Sequence, residues 1–193
     1  MKPESKQHAK RRRRAIWYNQ SVNVFWSVLS LAPLVYFCST GMPLRWVIIL
    51  GLFSFLTGFL PRSFFDRIRL GNTTAIYHKI GIRTIRKFTQ DGDWVNGLLR
   101  SRFADYKEVT PTASVKKHLR KAAVNERFHF MLFVFFLGAT GCALLEGRIG
   151  WTAFLVISNL LYNVYPILLQ QYNRLRLNRL LGRSSTDLPP ATR

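Results

Sequence analysis

Four long apolar runs constrain this chain more than any other feature. Residues 22–38, 44–60, 128–145 and 151–169 carry no acidic side chain, and the single full charge among them is Arg45, near the start of its run. A bilayer hydrocarbon core of about 30 Å takes about 20 residues of helix, with about 17 as the lower end. The rest of the 193-residue chain is too short and too basic to cover four such helices in water. The reading is an all-α integral membrane protein, with four transmembrane helices arranged as two hairpins and a basic cytoplasmic helical insert between them.

Charge then sets the orientation. The net charge is +20, from 29 Lys and Arg against 9 Asp and Glu. A nucleic-acid-binding domain of that charge would be poorer in apolar residues than 48%, so no nucleic-acid partner is expected. The cations lie in blocks: seven in residues 1–20, fifteen in 61–127 and five after 169, while the turns 39–43 and 146–150 hold only Arg148. By the positive-inside rule both termini and the long middle segment face the cytoplasm. The expected protein is therefore a multi-pass protein of the cell membrane, N-in and C-in. It divides into a basic N-terminus (1–20), a first hairpin (21–60), an insert (61–127), a second hairpin (128–169) and a C-terminal segment (170–193). The N-terminus has the basic and apolar order of a signal peptide, but its apolar run is long and no Ala-x-Ala site follows, so it is expected to stay as a membrane helix. Cys38 and Cys142 read as two membrane thiols, and no metal site can be built from them.

Within the insert, Ile76, Ile80, Ile85 and Phe88 approximate one helical face, with Lys79, Arg83, Arg86 and Lys87 on much of the rest. That pattern suits an amphipathic helix lying on anionic lipid. The same cations, Lys79 and Arg83 among them, can hold the phosphates of a nucleotide-bearing donor such as a coenzyme A thioester, although no Gly-rich phosphate loop accompanies them. A further helix should begin near Ser114 and run into the third apolar segment.

Polar groups are expensive in lipid and invite a reason. Glu126 and His129 are three apart, so they share a helix face at the edge of the third run. A carboxylate accepting from one imidazole nitrogen raises the basicity of the other, which prepares a histidine as general base for a hydroxyl. An interfacial histidine bonded to a carbonyl or a lipid phosphate is the plain alternative. Asn159, Asn163, Gln170 and Asn173 fall roughly on one side of the fourth run, where amides can also simply join helices. Pro166 should loosen that helix and free carbonyls near Asn163. No residue five beyond any histidine is an aspartate, and no Gly-x-Ser-x-Gly, His-Glu-x-x-His or Gly-x-x-x-x-Gly-Lys occurs. Covalent serine chemistry and metal hydrolysis therefore have no motif behind them.

Asn163-Val164, followed by Gln170-Gln171-Tyr172-Asn173-Arg174-Leu175-Arg176-Leu177, resembles the C-terminal signature of the glycosyl-4,4'-diaponeurosporenoate acyltransferase family. Glu126-x-x-His129 and Tyr77-x-Lys79-x-Gly81-Ile82-Arg83 are similar to further parts of that pattern, over about residues 61–180; Gln171 stands where the family has Arg. The resemblance implies transfer of a fatty acyl chain to a sugar hydroxyl of a lipid-like glycoside. It makes Glu126 and His129 an acid/base pair, and Asn163, Gln170, Tyr172, Asn173 and Arg174 the groups that hold the thioester carbonyl or the sugar. The implied partners are membrane lipid, an amphiphilic glycoside acceptor and an acyl thioester donor. The thioester is a co-substrate, with no resident cofactor and no metal. A non-enzymatic four-helix scaffold or lipid-binding partner protein is the competing expectation.

Overall fold

The structure is a computed structural model and describes residues 3–82, 84 and 112–186. Among the described residues the regular elements are all helices. They are α1 (Pro3–Gly41), α2 (Leu44–Thr57), α3 (Arg62–Arg67), α4 (Thr74–Lys79), α5 (Thr112–Leu145), α6 (Ile149–Asn159), a π-helical turn (Leu160–Val164) and α7 (Tyr165–Thr186).

Three helices are long and apolar enough to cross a membrane: Gln20–Gly41, Val115–Leu145 and Ile149–Gly182. The second apolar run departs from the four-span expectation, because it folds as the 14-residue α2. At about 1.5 Å per residue such a helix is roughly 21 Å long, short of the hydrocarbon thickness. Its early end has a local cause, since Leu60 precedes Pro61 and proline disfavours helical backbone in the residue before it. The other helices outrun their apolar segments instead. α1 begins in the basic N-terminus, and α5 begins at Thr112 and continues unbroken through Glu126 and His129.

The insert also differs from its sequence pattern. Among the described residues the helix that carries Ile76 is the six-residue α4, which ends before Gly81 at φ +80°. Ile76 and Ile80 stay exposed, and the side chains taken into the interior are Tyr77 and Ile82, packed with Leu169, Tyr172 and Leu175 of α7. Ile85, Phe88, Arg83, Arg86 and Lys87 lie outside the described residues.

A second core joins α1, α5 and α6, where Phe37, Phe136, Ala139, Ala143 and Leu155 are fully buried. Trp151 closes its end, 5.9 Å from the Tyr36 ring and 5.3 Å from Phe37. The turn between α5 and α6 is a Schellman motif: Arg148 N donates to Ala143 O at 2.9 Å and Gly147 N to Leu144 O at 3.0 Å, with Gly147 at φ +70°. α2 lies on α5 at Gly138, where an added Cβ would sit 2.5 Å from Leu50; a small residue there lets two apolar helices approach closely. Phe25, Val28, Val35, Leu52, Phe53 and Leu56 all face outward. So much exposed apolar surface suits lipid and not water. Cys38 and Cys142 are both free thiols.

Candidate functional site

α5 packs against α6, the π-turn and α7, and among the described residues most of the buried polar side chains lie on those elements. They form two layers. The first lies around Arg174, a residue only 3% exposed. Its Nη1 donates to Glu126 Oε2 at 2.5 Å, and its Nη2 donates to Asp66 Oδ1 of α3. Asp66 lies 3.9 Å from Arg62 as well. Glu126 is only 1% exposed, and a carboxylate so buried is tolerable only with a cation and hydrogen bonds around it. The guanidinium fork supplies both, so one arginine ties α3, α5 and α7 together. This redirects the expected Glu126–His129 contact: among the described residues no hydrogen bond joins these two side chains. Glu126 faces Arg174 and Gln171 instead.

Gln171, next in sequence, extends this layer to the insert. Its Oε1 accepts from Tyr77 Oη at 3.1 Å and from the Leu70 N–H at 3.3 Å. The Gly71 carbonyl lies 3.4 Å from the same phenol. Burial pushes the Tyr77 phenol above its ordinary pKa, with the nearby Arg69 cation pulling the other way. The phenol therefore remains a donor at neutral pH. Tyr77→Phe is expected to cost about 1 kcal/mol, the worth of one internal hydrogen bond, read as a lower unfolding midpoint in detergent. Because the folded-state pKa is raised, that contribution is whole below the ordinary phenol pKa of about 10. It is lost as pH climbs through the folded value, so the gap between wild type and variant should be constant around neutrality and close in strong alkali.

The second layer lies one turn further along α5, around His129. Opposite it the chain leaves α-helical geometry, and the Tyr165 N–H reaches back five residues to Leu160 O. Pro166 explains why, having no N–H to offer the Tyr162 carbonyl four residues earlier. That carbonyl and the Asn163 side chain are the polar groups facing the His129 imidazole. The Tyr162 ring packs edge-on against His129 with centroids 5.6 Å apart, and its hydroxyl is 2.8 Å from Ser27 Oγ of α1. Asn163, wholly buried, donates from Nδ2 to Asn159 Oδ1 at 2.8 Å; Asn159 Nδ2 donates to the Phe133 carbonyl at 3.2 Å. Four buried atoms across the two layers make no hydrogen bond: His129 Nδ1, Asn163 Oδ1, Glu126 Oε1 and Arg174 Nε. Each such atom carries a desolvation cost that no hydrogen bond offsets.

Of the remaining expected residues, Tyr172 is buried with its ring 5.3 Å from His78 and 6.3 Å from Tyr77. Gln170 and Asn173 are half-buried on α7, and Lys79 is exposed at the end of α4. Arg83 lies outside the described residues. No group of three or more potential metal ligands occurs among the described residues. Sequence reasoning missed Asp66, Gln171 and Ser27 as members of the two layers. Asp66 left a signal, as an acidic side chain beside Phe64-Phe65 in a strongly basic insert.

The family described as glycosyl-4,4'-diaponeurosporenoate acyltransferase matches residues 61–183, more than half of the chain. The chain belongs to this family. No curated protein and no solved structure matches it. The matched segment begins at the proline that follows the second apolar run, and it holds every residue of both polar layers except Ser27. Gln171 has a local reason here: a neutral amide accepts from Tyr77 and Leu70 without placing a second guanidinium beside Arg174.

Proposed function

We propose that this protein is a membrane acyltransferase that moves a fatty acyl group from a thioester to a hydroxyl of a glycosylated lipid or carotenoid at the cytoplasmic face. The observation that carries this reading is the line of buried polar side chains across α5, the π-turn and α7, which lies inside the segment shared with the acyltransferase family. His129 takes the proton of the acceptor hydroxyl while its oxygen attacks the thioester carbonyl. The tetrahedral oxyanion collapses, the C–S bond breaks, and the thiolate leaves with the proton returned from the imidazolium, giving an ester and a free thiol. Tyr172, Asn173 and Gln170 are the α7 groups left to hold the oxyanion or the sugar.

Arg174 has both terminal nitrogens on carboxylates, so its part, with Glu126, is to position the helices around His129. Lys79 and Arg83 stand for the phosphates of the donor. We further propose that α2 makes a fourth crossing in a locally thinned bilayer, its outward Leu52, Phe53 and Leu56 facing lipid, with the termini and the basic insert in the cytoplasm.

One observation favours the non-enzymatic alternative of a lipid-binding scaffold, namely that the Arg174 ion cluster has an evident joining role. Lipid mass spectrometry of membranes with and without the protein separates the two. The acyltransferase reading expects a glycosylated lipid heavier by one fatty acyl group only where the protein is present. An unchanged lipid profile with the protein inserted would contradict it.

A further inference from the structure

A neutral imidazole is a useful base only if one nitrogen holds the hydrogen and the other is open, and the partner of the first decides which. Glu126 does not supply that partner, because its carboxylate is turned to Arg174. A polar side chain that does face the imidazole is Asn163, and its orientation is set from behind. The Phe133 carbonyl accepts from Asn159 Nδ2, and Asn159 Oδ1 accepts from Asn163 Nδ2. An amide whose nitrogen is so committed presents its oxygen forward, and Asn163 Oδ1 is buried with no donor. His129 Nδ1 is likewise buried with no partner. Phe133 and His129 are four apart on α5, so the chain of amides begins and ends on the same helix face, one turn apart.

We propose that Asn163, anchored through Asn159 to the Phe133 carbonyl, is a positioning residue that holds the hydrogen of His129 on Nδ1 and leaves Nε2 as the proton acceptor. This rests on the reading of His129 as the base, and it places Asn163 behind the imidazole, not on the substrate. Two neutral amides do here what a carboxylate does at a water-filled site. That choice suits a membrane interior, where a second unpaired charge is costly. The groups facing the imidazole are the Phe128 ring on its own helix, and the Tyr162 ring, the Tyr162 carbonyl and Asn163 from the π-turn. Glu126, three residues earlier on the same helix, is paired with Arg174.

The test uses full-length protein with ¹⁵N-labelled histidine in lipid bilayers, with the His129 signal assigned by its loss in His129→Gln. Wild type should show the Nδ1–H tautomer. Asn163→Leu should lose it, and kcat should fall about 10–100-fold, the usual cost of removing a group that orients a catalytic imidazole, with KM within about twofold. Asn163→Asp should restore both. In its protonated form it is isosteric with the amide, donating to Asn159 Oδ1 and accepting from His129. An unchanged tautomer in Asn163→Leu would assign the role to the Tyr162 carbonyl and overturn the proposal. A raised KM at unchanged kcat would overturn it too, by putting Asn163 on the substrate. Should Asn163→Leu fail to insert, Asn163→Ser, with a hydroxyl too short to reach the ring, gives the same two readings. If wild type transfers no acyl group, the acyltransferase reading fails by itself, and the tautomer comparison still decides the assignment of Asn163.

Discussion

Arg174→Met is expected to destabilise the protein by about 3–5 kcal/mol, the cost of leaving a buried charge without its partner. The variant strands Glu126, 1% exposed between α5 and α7, with no cation to face. Asp66 suffers less, since it is half-exposed and keeps Arg62 at 3.9 Å. A shift of this size should appear as a clearly lower unfolding midpoint in detergent and faster proteolysis in membranes. The double variant Glu126→Met, Arg174→Met removes both buried charges and should recover most of the lost stability, because a well-packed apolar pair often matches a buried ion pair. Its activity then separates two roles. A folded double variant that still transfers acyl groups would confine Glu126 and Arg174 to holding the helices. Single and double variants both as stable as wild type would contradict the ion cluster itself.

His129→Gln is expected to lower acyl transfer by about 10²–10⁴-fold, the range for loss of a general base. Glutamine fills a similar volume and its amide can still donate to Asn163, so folding and membrane insertion should be unchanged. The loss should fall on kcat, with KM little altered, because the proton is taken only as the acceptor oxygen attacks. A raised KM at unchanged kcat would make His129 a substrate contact. Equal rates in variant and wild type would remove it from the reaction.

The apolar runs and the turn at Gly147 were legible because membrane helices and helix-ending glycines depend on local sequence. The distortion near Asn163 was legible for the same reason, since Pro166 must disturb the helix wherever the bundle places it. The length of the second helix was not read, although Pro61 was in view, because hydropathy outweighed a single proline. The partner of Glu126 was misread for a different reason. Spacing shows that His129 lies three residues on, but the cation that claims the carboxylate is 48 residues away in sequence, and the second carboxylate on that cation is 108 away. Packing alone brings them together. Gln171 stood out only as a departure from a family pattern; its place between Tyr77 and the Leu70 N–H depends on how the insert folds back on α7.

The central claim is that the seam between α5, the π-turn and α7 carries out acyl transfer to a sugar hydroxyl. Purified protein in lipid vesicles, supplied with a labelled fatty acyl thioester and a glycosylated carotenoid, tests it most directly. The expected result is one labelled ester per acceptor on a sugar hydroxyl, with thiol released in equal amount, and almost none of either with His129→Gln. No ester from the wild type, or ester formed equally by the variant, would contradict it.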